Sequence, residues 1–250
     1  MLKIHSEPPS ISKSCERCPI RQRTICSAIP TDQLEILEEF KSCDRILPVR
    51  SHLYRAGEKS SEIYHLLSGW VVTYRILESG RRQILQIELP GAFLGYQSGL
   101  EDPMLSGAQC ITDVAVCVFP RRGFPALLER HPAMIKKLIN SMARQVERGQ
   151  DHLTNVGSRA GLERVARFLL QIYFRVVQDQ SSENEDTLLM PLTQEMIADA
   201  LGLTSVHINR ILRELRERHL VMMSNGMLRI MDRAGLQEMA ELPQLGHADA

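Results

Sequence analysis

The residues best suited to chemistry are six cysteines, three of which fall within the first 26 positions as Cys15-x2-Cys18-x7-Cys26. The N-terminus lacks the apolar segment of a secretory signal, so we expect a cytoplasmic protein whose cysteines stay reduced. Metal binding or redox chemistry is then favoured over a disulfide framework. A Cys-x2-Cys pair is also half of a zinc site, which Cys43 could complete, and the thiols could instead form a regulatory disulfide or simply pack.

A second group of residues, near the carboxyl end, has the spacing of a DNA-reading motif. Thr193 can cap a short helix over 194–201, and Gly202 then supplies a tight turn. Thr204 can cap the helix that follows, whose apolar side chains fall on one face. The opposite face carries Ser205, Val206, His207, Asn209, Arg210 and Arg213. This is helix–turn–helix spacing, in which the second helix enters the major groove of double-stranded DNA.

The outward side chains of the second helix differ in what they can recognise. Arg210 can offer two donors to guanine O6 and N7, Asn209 can bind polar base edges or phosphate, and Val206 can contact a thymine methyl. Residues 220–231 flank an Asn225-Gly226 pair, which predicts a type I′ hairpin and hence a wing. An ordinary helical hairpin with solvated arginines is the alternative, and the combined pattern disfavours it.

The elements that position these groups begin with a β-rich region between positions 44 and 119. Short β-branched and aromatic runs are separated there by glycines at intervals of 12, 11 and 11 residues. The runs are 62–67, 70–76, 83–89 and 114–119, and the glycines are Gly57, Gly69, Gly80 and Gly91. Turn signals at this interval predict an antiparallel sandwich or barrel. A short helix is predicted upstream, over 31–40.

A long helix is predicted from Pro132 onward, because apolar residues recur there at steps of four and three. The positions are Ile135, Ile139, Met142, Val146, Gly149 and Leu153. This heptad seam favours a homodimer, although one amphipathic helix lying on its own β-domain would give the same periodicity. Gly149 interrupts the seam and allows close approach of two backbones.

We therefore predict an α+β protein with an N-terminal antiparallel β-roll, a long dimerisation helix and a C-terminal winged helix-turn-helix. A further helix is predicted over 160–178, and the polar stretch 179–186 is predicted to be a loop or linker. The predicted domains are 1–30 (cysteine-rich segment), 31–131 (β-roll), 132–157 (dimerisation helix), 158–240 (DNA-binding domain) and 241–250 (tail).

Composition excludes several classes of protein. The 250 residues are 44% hydrophobic and 24% charged, which is ordinary for a globular chain, and no apolar run is long enough to span a membrane. Lys and Arg number 30, as do Asp and Glu, but four arginines outnumber two glutamates over 210–218. Phosphate affinity depends on such a local surface rather than on net charge. Because no catalytic motif is present, we do not expect an enzyme.

The chain resembles the CRP/FNR family of bacterial transcription regulators over nearly its whole length. The resemblance rests on the glycine series ending in Gly91-Ala-Phe-Leu-Gly95 and on the segment Ile197–Arg210 of the reader. It implies a roll like that of cyclic-nucleotide-binding domains and a dimer that binds a palindromic operator. By analogy, exposed loops such as 78–82 would contact RNA polymerase, although a solvated charged turn explains that loop equally well.

Family members that bind cyclic AMP use a Glu after the Gly-x-Phe-x-Gly turn and an Arg-Ser pair farther on. Here Tyr96 follows Gly95, and Leu105-Ser106 stands where the Arg-Ser pair is expected. A buried cyclic phosphate needs a cation or several donors, and no Arg or Lys lies between Gly91 and Pro120. We therefore expect no cyclic-nucleotide binding.

The cysteines resemble those of the FNR-type oxygen sensors. That resemblance implies a [4Fe–4S] cluster ligated by Cys15, Cys18, Cys26 and Cys117, whose destruction by oxygen would loosen the dimer seam and regulate genes for low-oxygen metabolism. Cys110 is the reserve for the fourth ligand, and Cys43 and Cys110 are otherwise expected to be buried. Zinc, a thiol switch or another ligand remain alternatives.

Three positions depart from the oxygen-sensor pattern. Those proteins carry a Glu and a Ser where this recognition helix has Val206 and Asn209, whereas Arg210 is kept. The guanine contact carries over, but the rest of the operator sequence does not. An acidic residue of their dimer helix corresponds to Gly149 here, which puts in doubt how separated monomers would be kept apart.

Overall fold

The computed structural model describes residues 14–97, 99, 101–180 and 186–241. In chain order its helices and strands are α1 (Glu35–Phe40), β1 (Cys43–Leu47), β2 (His52–Tyr54), β3 (Glu62–Ser68), β4 (Val71–Ile76), β5 (Arg82–Glu88), β6 (Phe93–Leu94), β7 (Gly107–Cys110), β8 (Val114–Pro120), α2 (Phe124–Arg130), α3 (Pro132–Ser158), α4 (Gly161–Gln180), β9 (Thr187–Leu189), α5 (Gln194–Leu201), α6 (Ser205–Glu217), β10 (Val221–Ser224), β11 (Met227–Ile230) and α7 (Arg233–Met239). Most of the predicted linker 179–186 and of the tail 241–250 lies outside the described residues.

The β-rich region forms two four-stranded antiparallel sheets, in the orders β1-β8-β3-β6 and β2-β7-β4-β5. The four predicted runs became β3, β4, β5 and β8, which confirms the antiparallel β-roll. Sequence analysis did not predict β1, β2, β6 and β7. These strands are only two to five residues long, too short for a clear alternation of apolar and polar side chains.

Strands β3 and β8 are buried along nearly their whole length because both of their faces are covered. Successive side chains of a strand point to opposite faces. On β8, Val116 and Val118 enter one buried cluster inside the roll, whereas Cys117 and Phe119 enter a second cluster on the other face of the sheet. The chemistry of the second face is therefore set by every other residue of these strands.

The second cluster is closed by the N-terminal segment and by three helices. The segment runs through short 3-10 turns at Cys15–Arg17, Arg21–Arg23, Ile25–Ala28 and Thr31–Gln33. The predicted helix over 31–40 thus starts as a 3-10 turn and becomes α-helical only at Glu35. Its Leu37 packs in this cluster with Leu127 of α2 and with Met134 and Leu138 of α3.

The chain divides into two compact units between Glu147 and Arg148. In the second unit, β10, β11 and β9 form a three-stranded antiparallel sheet beside α5 and α6. Asn225 and Gly226 have φ angles of 51° and 72°, as the two central residues of the predicted type I′ turn require. The winged helix-turn-helix is confirmed, with β9 and α7 as elements that sequence analysis missed.

Candidate DNA interface and cysteine cavity

Hydroxyl caps fix both helices of the reading motif. The Thr193 hydroxyl accepts a hydrogen bond from the Met196 amide at 3.1 Å, and the Thr204 hydroxyl accepts one from the His207 amide at 3.2 Å. Between the helices Gly202 has a φ of +66°, a left-handed conformation that glycine adopts without steric cost. Both predicted caps and the predicted turn are therefore in place, and they set where α6 begins.

Helix α6 presents a polar face with one apolar side chain on it. Ser205, Asn209, Arg210 and Arg213 are exposed, and Val206 is 82% exposed. The opposite face is buried through Ile208, Ile211 and Leu215. A largely exposed valine between polar neighbours is what a contact to a base methyl group requires.

His207 is the exception on the predicted outward face. It is half-buried, and a Cβ atom at Gly161, the first residue of α4, would lie only 3.1 Å from its Nε2 atom. Its ring therefore packs beside the start of α4. The prediction that His207 faces outward is wrong, since its helical position turns it toward the neighbouring helix.

A groove runs between α6 and the β10–β11 hairpin. Its lining includes Gln194, Asn209, Arg213, Arg216 and Asn225. The Asn209 amide donates a 3.0 Å hydrogen bond to the Gln194 Oε1 atom, which joins the recognition helix to the first residue of α5. Sequence analysis missed Gln194, although its place directly after the Thr193 cap was a usable signal.

The arginines of α6 and of the residue that follows it differ in whether they form ion pairs. Arg218 forms an ion pair with Glu214 four residues earlier. Within the part of the chain that the structure describes, Arg210, Arg213 and Arg216 make no ion pair. These three guanidinium groups are therefore available for an anionic partner such as the DNA backbone.

The cavity that contains the cysteines lies on the covered face of the sheet β1-β8-β3-β6. All four sequence-predicted ligands line it, namely Cys15, Cys18, Cys26 and Cys117. Three of them come from the 3-10 turns and one from β8. Hydrogen bonds hold these turns in place: Glu38 of α1 accepts from the Cys15 amide at 2.9 Å, and the Thr24 hydroxyl accepts from the Cys26 amide at 3.3 Å.

The two remaining cysteines lie elsewhere. Asp44 is the cross-strand partner of Cys117 and lines the same cavity, whereas Cys43 pairs with Val118 and is exposed. The expectation that Cys43 is buried is therefore wrong, because it lies on β1 one residue before the position that faces the cavity. Cys110 is buried, as expected, but in the cluster inside the roll.

The cavity combines buried thiols with one ion pair. Burial raises the pKa of Cys15 and of Cys117, and raises that of Cys26 to about 12. The Lys41 ammonium, paired with Asp44 at 2.7 Å, acts in the opposite direction on the pKa of Cys15 and Cys117. Burial thus favours the protonated form of Cys15, Cys26 and Cys117, and a bound cation would favour loss of their protons.

The donor set fits a soft metal centre. Four cysteines line one cavity, and thiolate sulfur is the ligand that iron–sulfur centres and zinc prefer. Among the described residues, no three His, Cys, Asp or Glu side chains are already arranged as a metal cage. Ligation would therefore draw the 3-10 turns and β8 closer together.

Helix α3 presents two different faces. Met134 and Leu138 are buried in the cluster that contains Cys15 and Cys117, and Met142 packs partly against it. Four seam positions are exposed by 40% to 69%, namely Ile135, Ile139, Val146 and Leu153. Gly149 is half-buried. One face of the helix is thus committed to the cysteine cluster, and an apolar stripe beside it remains uncovered.

The residues that follow Gly95, where cyclic-AMP binders place ligand contacts, lie near a buried guanidinium that the sequence analysis did not consider. Tyr96 packs its ring against Phe93 and Phe124. A buried guanidinium does lie close by, because Arg121 donates hydrogen bonds to the carbonyl oxygens of Ser60 and Gly99 at 3.1 and 2.9 Å. Arg121 directly follows the stretch from Gly91 to Pro120, and its Nη1 and Nη2 atoms bind backbone carbonyls, whereas its Nε atom has no hydrogen-bond partner among the described residues.

No helix within the described ranges combines the length and the apolar character needed to cross a bilayer.

Comparison with known proteins identifies both parts of the chain. Residues 45–131 match the cyclic nucleotide-binding domain, and residues 163–239 match the Crp-like helix-turn-helix domain. The transcriptional activatory protein AadR of Rhodopseudomonas palustris is 31% identical over 87% of this chain and 90% of its own length. The fumarate and nitrate reduction regulatory protein of Vibrio cholerae is 26% identical over 90% of each chain.

A solved structure, that of FixK2 from Bradyrhizobium japonicum, superposes with a TM-score of 0.70 at 25% identity, covering 80% of this chain and 96% of that chain. These relatives confirm a regulator of transcription rather than an enzyme. These matches agree with the β-roll and with the capped helix-turn-helix, and the chain belongs to the CRP/FNR family of DNA-binding transcription regulators.

Proposed function

We propose that this regulator is a homodimer whose DNA binding is controlled by an oxygen-labile [4Fe–4S] cluster held by Cys15, Cys18, Cys26 and Cys117. One observation carries the proposal: the four cysteines line a single cavity, and the core around it includes Met134 and Leu138 of α3. The state of the cavity and the position of the dimer helix are therefore physically linked.

When bound, the cluster would supply an oxygen-sensitive redox centre. The chain would contribute four thiolates, and the nearby Lys41 ammonium favours the ionised form of Cys15 and Cys117. Ligation by both the N-terminal turns and β8 would tie the segment 15–26 to the sheet. Release of the ligands would leave that segment held by packing and by a few hydrogen bonds, such as that from Arg21 to the Ile29 carbonyl at 2.9 Å.

Dimerisation is proposed through the exposed stripe of α3. Ile135, Ile139, Val146 and Leu153 would pack against the same residues of a second copy, with Met142 and Gly149 at the partly covered positions between them. Met134 and Leu138 are buried in the hydrophobic core that surrounds the cysteine cavity. A rearrangement of that core would therefore shift the exposed stripe of α3. Such coupling would make dimer stability depend on the cluster.

DNA reading is proposed through α6. Arg210 would contact a guanine and Val206 a thymine methyl, whereas Ser205, Asn209 and Arg213 would contact base edges or phosphates beside the groove. Thr193 and Thr204 would fix where α5 and α6 begin and so position both helices on the DNA backbone. His207 would hold α6 against α4. In a dimer, the two recognition helices would lie about 34 Å apart on a palindromic operator.

The operators would control genes for low-oxygen metabolism, in keeping with the resemblance to oxygen sensors. We propose no cyclic-nucleotide ligand, because Tyr96 and Leu105 replace the polar groups that cyclic-AMP binders use. The exposed hairpin loop 78–82 is the surface we propose for RNA polymerase.

Anaerobic purification, an absorption spectrum and assays of iron and acid-labile sulfide test the cluster. We expect a coloured protein with about four irons and four sulfides per chain, which bleaches in air and loses operator affinity in parallel. A colourless protein that contains one zinc, or no metal at all, would contradict the proposal and support a zinc or thiol switch instead.

A further inference from the structure

A buried histidine with no hydrogen-bonding partner shares the cavity with the four cysteines. His65 of β3 is 3% exposed, and neither of its ring nitrogens has a hydrogen-bond partner among the described residues. A buried imidazole without partners is less favourable than a satisfied one, because its nitrogens lose their hydration without gaining a hydrogen bond in return. An apolar residue would fill this position at lower cost if packing were its purpose.

The register of the sheet places His65 beside the fourth sulfur. His65 is the cross-strand partner of Cys117, and side chains of such pairs stand on the same face with Cβ atoms about 4.5–5.5 Å apart. The imidazole lines the cavity itself. Position and register therefore direct it toward the space that the four thiols enclose.

The surroundings of His65 fix the orientation of its ring. The ring centroid lies 4.8 Å from that of Phe93 and 6.0 Å from that of Phe119, so aromatic side chains hold two of its sides. The imidazole carries an N–H donor in both its neutral and its protonated form. The charged groups on the cavity wall are Arg21 and the paired Lys41 and Asp44.

We propose that His65 is a positioning residue of the iron–sulfur site, whose ring N–H donates a hydrogen bond to an anionic sulfur of the bound centre. The inference rests on the proposed function and adds a fifth side chain to the four ligands. A donor to sulfur stabilises the reduced, more negative state more than the oxidised state, so His65 raises the reduction potential of the centre. It thereby slows the oxidation that begins loss of the cluster in air.

Two substitutions separate this role from packing. His65→Leu keeps apolar volume and removes the donor, whereas His65→Gln restores an N–H group. In reductive titrations of the anaerobic full-length protein with dithionite and mediators, we expect His65→Leu to shift the equilibrium about tenfold toward the oxidised cluster. This corresponds to about 59 mV for one electron. We expect the absorption of His65→Leu to decay several-fold faster in air, and His65→Gln to recover most of both effects.

His52→Leu is the matched control, because His52 lies on β2 and does not line the cavity. It should match the wild type in both measurements. In the metal-free protein His65→Leu should also unfold at a higher denaturant concentration than the wild type, since the unpartnered imidazole is gone, and the fluorescence of the single Trp70 reports that transition.

Each outcome decides a different question. A wild-type protein without iron overturns both the proposed function and the role of His65. Iron in the wild type, with an unchanged potential and decay rate in His65→Leu, overturns only the role of His65. Loss of iron from both His65 variants, with folding retained, would make His65 a ligand and so contradict the donor role.

Discussion

Cys117 and Cys43 lie on neighbouring strands, but their positions in the register differ by one residue, and only Cys117 lines the cavity. Cys117 stands opposite Asp44 and His65 on the covered face, whereas Cys43 stands opposite Val118. The zinc alternative that used Cys43 as a fourth ligand therefore needs a different register of β1.

This difference gives a paired test of the ligand set. Cys117→Ala should reduce the iron content of anaerobically purified protein to background, because three thiolates leave one iron without its protein ligand. Cys43→Ala should retain the full iron content, and Cys110→Ala, inside the roll, should do so as well. Iron assays together with the spectrum check this expectation. Equal loss in Cys117→Ala and Cys43→Ala would refute the assignment.

Arg210 provides the residue-scale prediction for DNA. With an operator selected from a random duplex pool, Arg210→Ala should lose roughly 1–3 kcal/mol of discrimination at one guanine. Arg210→Lys keeps the positive charge but not the two-donor geometry, so it should lose nearly as much discrimination. Fluorescence anisotropy on the operator and its single-base variants measures both.

Arg218→Ala is the control, since Arg218 is already paired with Glu214. It should leave discrimination unchanged. If Arg210→Lys behaves like the wild type and Arg210→Ala weakens every sequence equally, Arg210 contacts phosphate and the base assignment fails.

Individual residues with a distinctive chemistry could be predicted from the sequence. Residues whose role depends on strand register or on helix packing could not. Cys15, Cys18, Cys26 and the two threonine caps could be predicted from spacing, because thiol clusters and helix starts have local signatures, whereas Cys117 was implied only by the family resemblance. His65 could not be assigned a role, since its neighbours are far away in sequence, whereas the place of Gln194 directly after the Thr193 cap was a usable signal. The position of His207 depended on how α4 packs on α6, which helical periodicity alone does not give.

Among the elements, strands β3 and β8 explain how one sheet serves two cores. Their odd-numbered residues face the cysteine cavity, and their even-numbered residues face the inside of the roll. Continuous apolar runs gave these strands a clear signal, whereas short β2 and β6 gave none. The glycines of the hairpin turns allowed the antiparallel arrangement of the strands to be predicted from the sequence.

Gly69, between β3 and β4, gives a prediction about one of these turns. Its φ is +84°, and a Cβ atom there would lie 2.3 Å from the Asp113 carbonyl oxygen. Gly80 has a similar φ of +77° but no atom within 4 Å of such a Cβ. Gly80→Ala should therefore cost only backbone strain, about 1–2 kcal/mol, whereas Gly69→Ala should cost about 1–3 kcal/mol more.

Chemical denaturation monitored by Trp70 fluorescence measures both variants in the unit that contains the roll, because Trp70 is the single tryptophan and is buried next to Gly69. The difference between the two variants isolates the clash from the strain. Equal destabilisation would show that β3 and β8 move apart to accept a side chain, and the tight turn would then not fix their register.

For the molecule as a whole, the balance of 30 basic and 30 acidic residues conceals a local asymmetry. Arg210, Arg213 and Arg216 make no ion pair with any residue that the structure describes, so α6 is locally positive. In a dimer these charges would be doubled along one face. The affinity of the proposed dimer for any duplex should accordingly fall steeply with salt, since each neutralised phosphate releases counterions.

The dimer itself can be broken at the exposed stripe of α3. Ile139→Glu and Val146→Glu place carboxylates where the proposed partner buries apolar side chains, with no basic partner provided. Each substitution occurs twice in a dimer, so losing the burial of these side chains should cost about 3 kcal/mol or more, a roughly 100-fold rise in the dimer dissociation constant. Ile76→Glu, at an equally exposed position on the roll, should leave the dimer intact.

Sedimentation of the anaerobic protein, followed by binding to a full palindrome and to a single half-site, measures the consequence for DNA. The seam variants should lose at least 100-fold in affinity for the palindrome and little for the half-site, because α6 is unaltered while the linkage between two copies of it is lost. If the seam variants stay dimeric, the stripe is not the interface. If they are monomeric but bind the palindrome as tightly as the wild type, each recognition helix acts alone, and the cysteine cavity could not control DNA binding through α3.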